Sequence, residues 1–155
     1  MGIGPIVIVI WPAPAEYSHS TARMYQPPNK VQSSLALSVV VPCHNEQEGI
    51  GELYRRLSMA CRSSIGDDHE IVFVDDGSRD DTWSKLAALS KADPHVVSVK
   101  LTRNYGHQLA LTAGLDICRG ARIFIIDADL QDPPELLGPM LKVMTVERML
   151  SMGAE

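Results

Sequence analysis

Two aspartates separated by one residue, Asp127 and Asp129, directly follow a short apolar run, Ile123 to Ile126. Side chains two apart on an extended segment point to the same side, so both carboxylates can face one cation. Carboxylate oxygens suit Mg²⁺ or Mn²⁺, and these ions typically bind substrate phosphates at the same time. Because aspartate is also a preferred turn residue, the interpretation depends on the elements that position the pair.

Three earlier apolar runs end in polar clusters in the same way. Each run is short, rich in β-branched residues and continuously apolar, which is typical of strands covered on both faces. The runs, with the polar residues that follow them, are Leu37 to Val41 before residues 42–46, Ile71 to Val74 before residues 75–82, and Val96 to Leu101 before residues 102–108.

The segments between these runs carry helical patterns, in which apolar residues recur every three or four positions. These segments lie within residues 50–61, 83–90 and 109–117. Asn45 and Glu48 resemble a capping box before the first helix, and Asp80 or Asp81 can cap the second. Alternating strands and helices predict an α/β fold with a mostly parallel sheet flanked by helices. Ligands of such sheets bind outside the carboxyl ends of the strands, where all four polar clusters lie.

Composition and charge exclude some classes of function. The chain has 155 residues, is 45% hydrophobic and carries a formal net charge of −5, so it has no basic footprint for nucleic acid. Its three cysteines have no metal-type spacing and are interpreted as reduced thiols of a cytoplasmic protein. Cys43 beside His44 could suggest a nucleophile and its base, but adjacent residues on an extended segment point apart.

The first 34 residues differ from the rest. Gly2 to Trp11 contains an apolar run too short to span a bilayer, and it lacks the layout of a secretory signal. Repeated prolines then interrupt any regular element. We expect Met1 to Ser34 to be a disordered extension or the product of a misplaced start codon, with Ile6 to Ile10 able to pair with the sheet.

The polar residues at the strand ends suit a nucleotide. Glu46 and Asp75 or Asp76 are natural acceptors for ribose hydroxyls or for a base N–H. A diphosphate on the same nucleotide needs a cation, which the aspartate pair can supply.

Two further candidates lie in the loop after the third run. Arg103 and Asn104 can support a phosphate or a sugar, and they can equally form a polar loop beside the sheet. His107 falls at a helix start, where a surface or capping residue is more common than a ligand.

Taken in order, four motifs resemble those of family 2 glycosyltransferases. They read P-C-H-N-E from Pro42, V-D-D-G-S-R-D-D-T from Val74, R-N-Y-G-H-Q-L-A-L-T-A-G-L-D from Arg103, and D-A-D-L-Q-D-P-P-E from Asp127. The resemblance covers residues 37–141 and is greatest to the polyprenyl-phosphate (dolichyl- or undecaprenyl-phosphate) mannosyl- and glucosyltransferases. It implies a GT-A (Rossmann-like) fold, a UDP- or GDP-hexose donor, a polyprenyl phosphate acceptor, Mg²⁺ or Mn²⁺, and inversion at the anomeric carbon.

At each position that matches a motif, the resemblance implies the role that the family's residue has there. The resemblance assigns Pro42, Asn45 and Glu46 to the nucleoside pocket, Asp75 and Asp76 to the base and ribose, Asp127 and Asp129 to the cation and diphosphate, and Gln131 to the cation. Arg103 and Asn104 join the donor-binding candidates from the loop argument above. The cation would neutralise charge growing on the leaving nucleoside diphosphate. No catalytic residue is assigned, because a phosphate acceptor is already ionised at neutral pH and needs a base less than a sugar hydroxyl does.

After Pro139 the chain departs from the family pattern, which would continue with a G-Y-D-V-V-like strand, further strands, an acceptor-facing loop and often transmembrane helices. We therefore expect the N-terminal part of a GT-A domain at residues 35–145 and a divergent tail at 146–155. The acceptor half would then come from another chain, or the sequence is a fragment or a frameshifted product. Oligomerisation through the missing half, or a peripheral position at the cytoplasmic face of a membrane, is compatible with this expectation.

Three alternatives stay open at this point. A nucleotide-sugar-binding fragment would share the donor motifs and show no turnover. A phosphoacceptor receiver domain also has clustered aspartates, but the lysine it needs after a later strand is not visible. A dinucleotide oxidoreductase would need a G-x-G-x-x-G after the first strand, and none follows it.

Overall fold

The computed structural model describes residues 6–7 and 35–152, with side chains described for residues 35–145. The elements in chain order are β1 (Ile6–Val7), β2 (Leu35–Cys43), α1 (Ile50–Ile65), β3 (His69–Asp75), α2 (Thr82–Ala92), β4 (Val96–Lys100), α3 (His107–Ile117), β5 (Gly120–Ile125), a short 3₁₀ helix (Pro134–Leu136) and α4 (Leu137–Met152). The predicted α/β class is confirmed, and the four predicted apolar runs lie on β2 to β5.

The strands form one parallel sheet in the order β1-β4-β3-β2-β5. From β2 the chain moves outward through β3 to β4, then crosses back to place β5 on the other side of β2. Strand order therefore reverses between β2 and β5. The carboxyl ends of these two strands flank the crevice in which ligands of open α/β sheets bind.

Helices cover both faces of the sheet, which explains the continuously apolar runs. Val39 and Phe73 point to the face that packs against α1, α2 and α4, while Val40, Val72 and Val74 point to the face that packs against α3. Because consecutive side chains alternate between faces, every position of such a strand is buried. Each of these five residues is fully buried.

The helix starts differ in part from the sequence prediction. The capping box of Asn45 and Glu48 is wrong, because α1 begins at Ile50 after Gly49 with no capping side chain. Asn45 has a positive φ of 52° and uses its side-chain oxygen to accept the Arg79 amide instead. At α2, the Oδ1 atom of Asp80 accepts both the amide and the hydroxyl of Thr82, at 2.9 and 2.6 Å.

A buried carboxylate links neighbouring strands at the end of the sheet where the strands begin. Glu70 is 2% exposed and accepts hydrogen bonds from the Ser38 hydroxyl at 2.6 Å and from the Arg119 amide at 2.6 Å. Its other oxygen accepts from the Arg119 guanidinium at 2.9 and 3.0 Å. The Ser38 hydroxyl in turn accepts the Gly120 amide at 2.7 Å. One side chain thus links β2, β3 and the start of β5.

The predicted extension and tail fall largely outside the described residues. Of residues 1–34 only Ile6–Val7 is described, and this segment pairs in parallel with β4. The predicted boundary at residues 145–146 lies within α4, whose backbone is helical to Met152. None of the helices in the described ranges is long and apolar enough to cross a membrane.

The outer strand β5 leaves one edge of the sheet exposed in the described structure. Within the described residues β5 pairs only with β2, and Ile125 at its end is 46% exposed. Met140, Val143 and Met144 on α4 are exposed as well.

Candidate active site

Four loops meet at the carboxyl ends of β2 to β5 and enclose a cavity of about 330 Å³, called here the central cavity. It lies at the strand-order reversal between β2 and β5. Its lining residues are Pro42, Cys43, His44, Glu46, Asp76, Asn104, Gly106, His107, Ala110, Asp127, Ala128 and Asp129. All four predicted polar clusters therefore contribute to one site.

His44 joins three of these loops and is held in one tautomer. Its Nδ1 atom lies 2.9 Å from the carbonyl oxygen of Asp76, which can only accept, so Nδ1 carries the proton. Its Nε2 atom then accepts from the side-chain amides of Asn45 and Asn104, each at 3.2 Å. With both ring nitrogens hydrogen-bonded, His44 links these loops to one another.

The neighbouring Cys43 is no nucleophile. Its side chain is 3% exposed, and its thiol lies 3.4 Å from the carbonyl oxygen of Val41. Burial, reinforced by the charges of Asp75 and Glu46, raises the pKa of the Cys43 thiol well above its ordinary value. The thiol is therefore protonated at neutral pH, in agreement with the sequence interpretation.

The second loop shapes the site mainly through its backbone partners. The carboxylate of Asp76 accepts the amides of Tyr105 and Gly106, at 2.7 and 3.0 Å, and so fixes the loop that leads into α3. Gly77 has a φ of 64°, and a Cβ atom built on it would lie 2.3 Å from the carbonyl carbon of Arg103. Only glycine permits the two loops to approach so closely.

Asp75 lies beneath this loop, outside the lining of the central cavity. The residue is fully buried, and its Oδ1 atom accepts the Ser78 amide at 3.2 Å. Its Oδ2 atom is buried without a hydrogen-bond partner among the described residues. Such a buried acceptor is costly, and the full burial of Asp75 outside the cavity lining separates it from a ligand in the central cavity.

The aspartate pair forms one wall of the central cavity. The Asp129 Oδ1 atom accepts the Gln131 amide at 3.0 Å, in a turn where Leu130 has a φ of 62°. Across the cavity, burial and then the charges of Asp129 and Asp80 raise the pKa of the Glu46 carboxyl. Glu46 and Asp129 are two of the four acidic residues that line the cavity, with Asp76 and Asp127.

The donor set fits a hard cation that is completed by substrate. Within residues 35–145, no three His, Cys, Asp or Glu side chains are grouped closely enough to hold a metal ion by themselves. Mg²⁺ and its analogues commonly use one or two carboxylates together with substrate phosphates, and Asp127 and Asp129 provide that number. Gln131 is exposed and does not line the cavity.

Apart from the buried Asp75, the predicted donor-binding residues divide between two adjoining cavities. Pro42, Glu46, Asp76, Asn104 and Asp127 line the central cavity. Asn45 and Arg103 line a side cavity of about 360 Å³, which also contains Arg79 and shares His44 and Asn104 with the central one. The guanidinium of Arg103 lies over the ring of Tyr105, 4.7 Å from its centroid.

Among the cavity residues that the sequence interpretation did not assign to the site, His107 is the one that contacts the aspartate pair. His107, the first residue of α3, lies with its Nε2 atom 3.5 Å from the Oδ1 atom of Asp127. Its position at a helix start suggested a capping or surface role. The parallel sheet was the one feature of the sequence prediction from which this contact could have been inferred. It brings the start of the helix after β4 next to the loop after β5, where the strand order reverses.

The chain is similar to several known proteins. The family model described as glycosyl transferase family 2 matches residues 38–153. An uncharacterized glycosyltransferase, YkcC of Bacillus subtilis (strain 168), is 45% identical over 105 residues, which cover 68% of this chain and 32% of that protein. An undecaprenyl-phosphate 4-deoxy-4-formamido-L-arabinose transferase of Pseudomonas fluorescens is 48% identical over 100 residues, which cover 64% of this chain and 29% of the relative. The chain thus spans about a third of the length of these relatives.

Solved structures show the same fold. The mannosyltransferase PcManGT from Pyrobaculum calidifontis, in complex with GDP-Man and Mn²⁺, superposes with a TM-score of 0.56 at 28% identity, covering 67% of this chain and 31% of that one. TarS 1–349 of S. aureus superposes with a TM-score of 0.53 at 26% identity, covering 61% of this chain and 28% of that one. The predicted GT-A fold, in its N-terminal part, is confirmed by these neighbours.

Proposed function

Because the chain belongs to glycosyl transferase family 2, we propose that it forms the donor-binding part of an inverting, metal-dependent transferase. The reaction moves a hexose from a nucleoside diphosphate to a polyprenyl phosphate. The relative from Pseudomonas fluorescens, of which this chain matches about a third, is named an undecaprenyl-phosphate transferase. The structural neighbour PcManGT is described in complex with GDP-Man and Mn²⁺. The relative's name supports the acceptor class and gives a pentose derivative as its sugar, while the neighbour's GDP-Man supports a hexose on a nucleoside diphosphate. Family membership also removes the receiver-domain and oxidoreductase alternatives.

The observation that carries the proposal is the convergence of acidic groups on the central cavity. Asp127 and Asp129 form one wall, and Glu46 and Asp76 lie on others. Burial is the largest cause of the raised pKa of the Glu46 carboxyl, and repulsion by the charges of Asp129 and Asp80 raises it further. A divalent cation relieves this repulsion and at the same time attracts the diphosphate of a sugar nucleotide.

Each wall then has a defined task in donor binding. Asp127 and Asp129 hold the cation and through it the diphosphate, while Glu46 accepts a hydroxyl of the donor. The N-terminus of α3 opens onto the cavity through Gly106, His107 and Ala110, and helix N-termini favour anions. Asp76 positions this helix start, because both of its oxygens are used by the backbone amides of Tyr105 and Gly106. When bound, the cation supplies charge neutralisation for the leaving diphosphate.

A second candidate function is donor binding without turnover by this chain alone. Two observations favour it. The chain matches about a third of the length of these relatives, and the β5 edge of its sheet is exposed. Aligning two reactants can contribute roughly 7–11 kcal/mol to catalysis. A chain that binds only the donor would therefore show no measurable transfer.

The test of the cation site compares two neighbouring aspartates. Asp129→Asn removes a charge and keeps an oxygen that can accept the Gln131 amide, so the fold should be unaffected. We expect Mn²⁺-dependent binding of UDP or GDP, measured by titration calorimetry, to weaken by more than about tenfold, or about 1.4 kcal/mol. Asp132→Asn is the matched control, since Asp132 is exposed on the same loop and does not line the central cavity.

Two results would contradict the proposal. One is unchanged Mn²⁺-dependent nucleotide binding in a folded Asp129→Asn variant; the other is an equal loss in Asp132→Asn. The two candidate functions are separated by incubating the purified chain with radiolabelled UDP- or GDP-sugar, polyprenyl phosphate and Mn²⁺. Lipid-linked sugar at an ordinary enzymatic rate supports the complete transferase, and donor binding without product supports the second candidate.

A further inference from the structure

His107 lies opposite one member of the aspartate pair. Its Nε2 atom is 3.5 Å from the Oδ1 atom of Asp127, and both side chains are 54% exposed, so both are open to the cavity that they line. Among the described residues, His107 is the one side chain that pairs with the Asp127 carboxylate. A distance of 3.5 Å is long for a hydrogen bond, and contacts of this kind are often long before a ligand is bound.

The loop before α3 places His107 without using the imidazole itself. Asp76 accepts the amides of Tyr105 and Gly106, and the side-chain oxygen of Asn104 accepts the Gly106 amide at 2.9 Å. Gly106 has a φ of 96°, which turns the chain sharply into the helix. The backbone of this loop therefore positions the imidazole at the cavity. The ring nitrogens remain available for a polar contact there.

The two aspartates of the pair are fixed by different partners. The Oδ1 atom of Asp129 accepts a backbone amide from Gln131, which leaves its second oxygen available to a ligand. Among the described residues no backbone amide donates to Asp127, and His107 is the group beside its Oδ1 atom. Without a partner, an exposed aspartate populates several rotamers and must lose that freedom when it binds a cation.

We infer that His107 is a positioning residue, whose Nε2–H holds one oxygen of Asp127 so that the other faces the cation and diphosphate of the donor. The inference rests on the proposed function and extends it to a residue outside the aspartate motif. Groups that orient the ligands of a metal typically change its affinity by about 10- to 100-fold. The exposure of His107 and the long contact place the expected effect at the lower end of that range.

The first experiment measures Mn²⁺ affinity in the presence of GDP or UDP, from the electron paramagnetic resonance signal of free Mn²⁺. His107→Ala should weaken Mn²⁺ binding by about tenfold, whereas His107→Gln, whose amide nitrogen can reach the place of Nε2, should stay within about twofold of wild type. Gln108→Ala is the control, because Gln108 is exposed in the same helical turn and does not line the cavity. It should leave Mn²⁺ affinity unchanged.

A double-mutant cycle separates positioning from direct donor contact. If His107 acts through Asp127, His107→Ala should weaken Mn²⁺ binding by less than about twofold in an Asp127→Asn background. Equal effects in both backgrounds would overturn the inference and indicate direct contact with the donor. Tighter Mn²⁺ binding in His107→Ala would overturn it as well, because the imidazole would then compete with the cation. Absence of cation-dependent nucleotide binding in the wild-type chain would overturn the proposed function and this inference together.

Discussion

Replacement of Gly77 by alanine tests the close approach of the second and third site loops. Gly77 has a φ of 64°, and a Cβ atom there would lie 2.3 Å from the carbonyl carbon of Arg103 and 2.4 Å from the amide nitrogen of Asn104. These are backbone atoms, so no side chain can rotate away to make room. The loop of residues 102–106 must shift if the alanine is to fit.

The expected loss of stability has two parts. A residue with a Cβ atom in the left-handed region costs about 1–2 kcal/mol. Forcing extra volume into a packed contact costs about 1–3 kcal/mol more. Gly77→Ala should therefore lower the free energy of unfolding by about 2–5 kcal/mol. Because the shifted loop leads into α3, Mn²⁺-dependent nucleotide binding should weaken in the molecules that remain folded.

Gly66→Ala is the control for a glycine of positive φ whose Cβ atom would meet no neighbour, although its ψ of −139° lies outside the left-handed region. Gly66 has a φ of 67° and follows α1 at the other end of the sheet, and no atom lies within 4 Å of the place that a Cβ atom would occupy there. Its replacement should cost about 1–3 kcal/mol and leave nucleotide binding unchanged. Urea denaturation followed by circular dichroism measures both losses. Equal stability losses with unchanged nucleotide binding in both variants would refute the argument that the loops are in tight contact at Gly77.

Two further predictions concern the end of the sheet where the strands begin. Glu70→Ala should lower the free energy of unfolding by about 3 kcal/mol, because it leaves the Ser38 hydroxyl and the Arg119 amide without their acceptor. Arg119→Ala should cost about 1–3 kcal/mol, because it leaves the Oε2 atom of the buried Glu70 carboxylate without a donor among the described residues; an unchanged free energy of unfolding in urea denaturation would contradict the assignment. Burial lowers the pKa of His69, so the unfolded chain binds more protons below about pH 6.5 and the free energy of unfolding should fall there. His69→Gln should flatten this slope between about pH 7.5 and 5.5, and an unchanged slope would assign it to other groups.

The elements of the fold could be predicted because their signals are local. Val39 and Val40 are both fully buried although they point to opposite faces, so an uninterrupted apolar run indicated a strand covered on both sides. The caps were harder to predict. Asn45 and Asp80 are both suited to capping, but only Asp80 contacts the start of a helix, because the chain turns differently before α1. Turn geometry of this kind depends on neighbouring loops.

The site residues show the same division. The sequence alone determined that four polar clusters follow four strands, and hence that Glu46 and Asp129 would lie at one edge of a parallel sheet. Residue types and spacing are sufficient for that conclusion, because a parallel sheet collects the carboxyl ends of its strands on one side.

Only the tertiary structure decided what each side chain does at that edge. Both oxygens of Asp76 bind backbone amides of the loop before α3, and His107 lies beside Asp127 although the two are 20 positions apart in the chain. Asp75, the neighbour of Asp76, is buried below the cavity, since adjacent residues at a strand end point in opposite directions. These contacts depend on the reversal of strand order between β2 and β5, which is a property of the whole sheet and leaves no local pattern in the sequence.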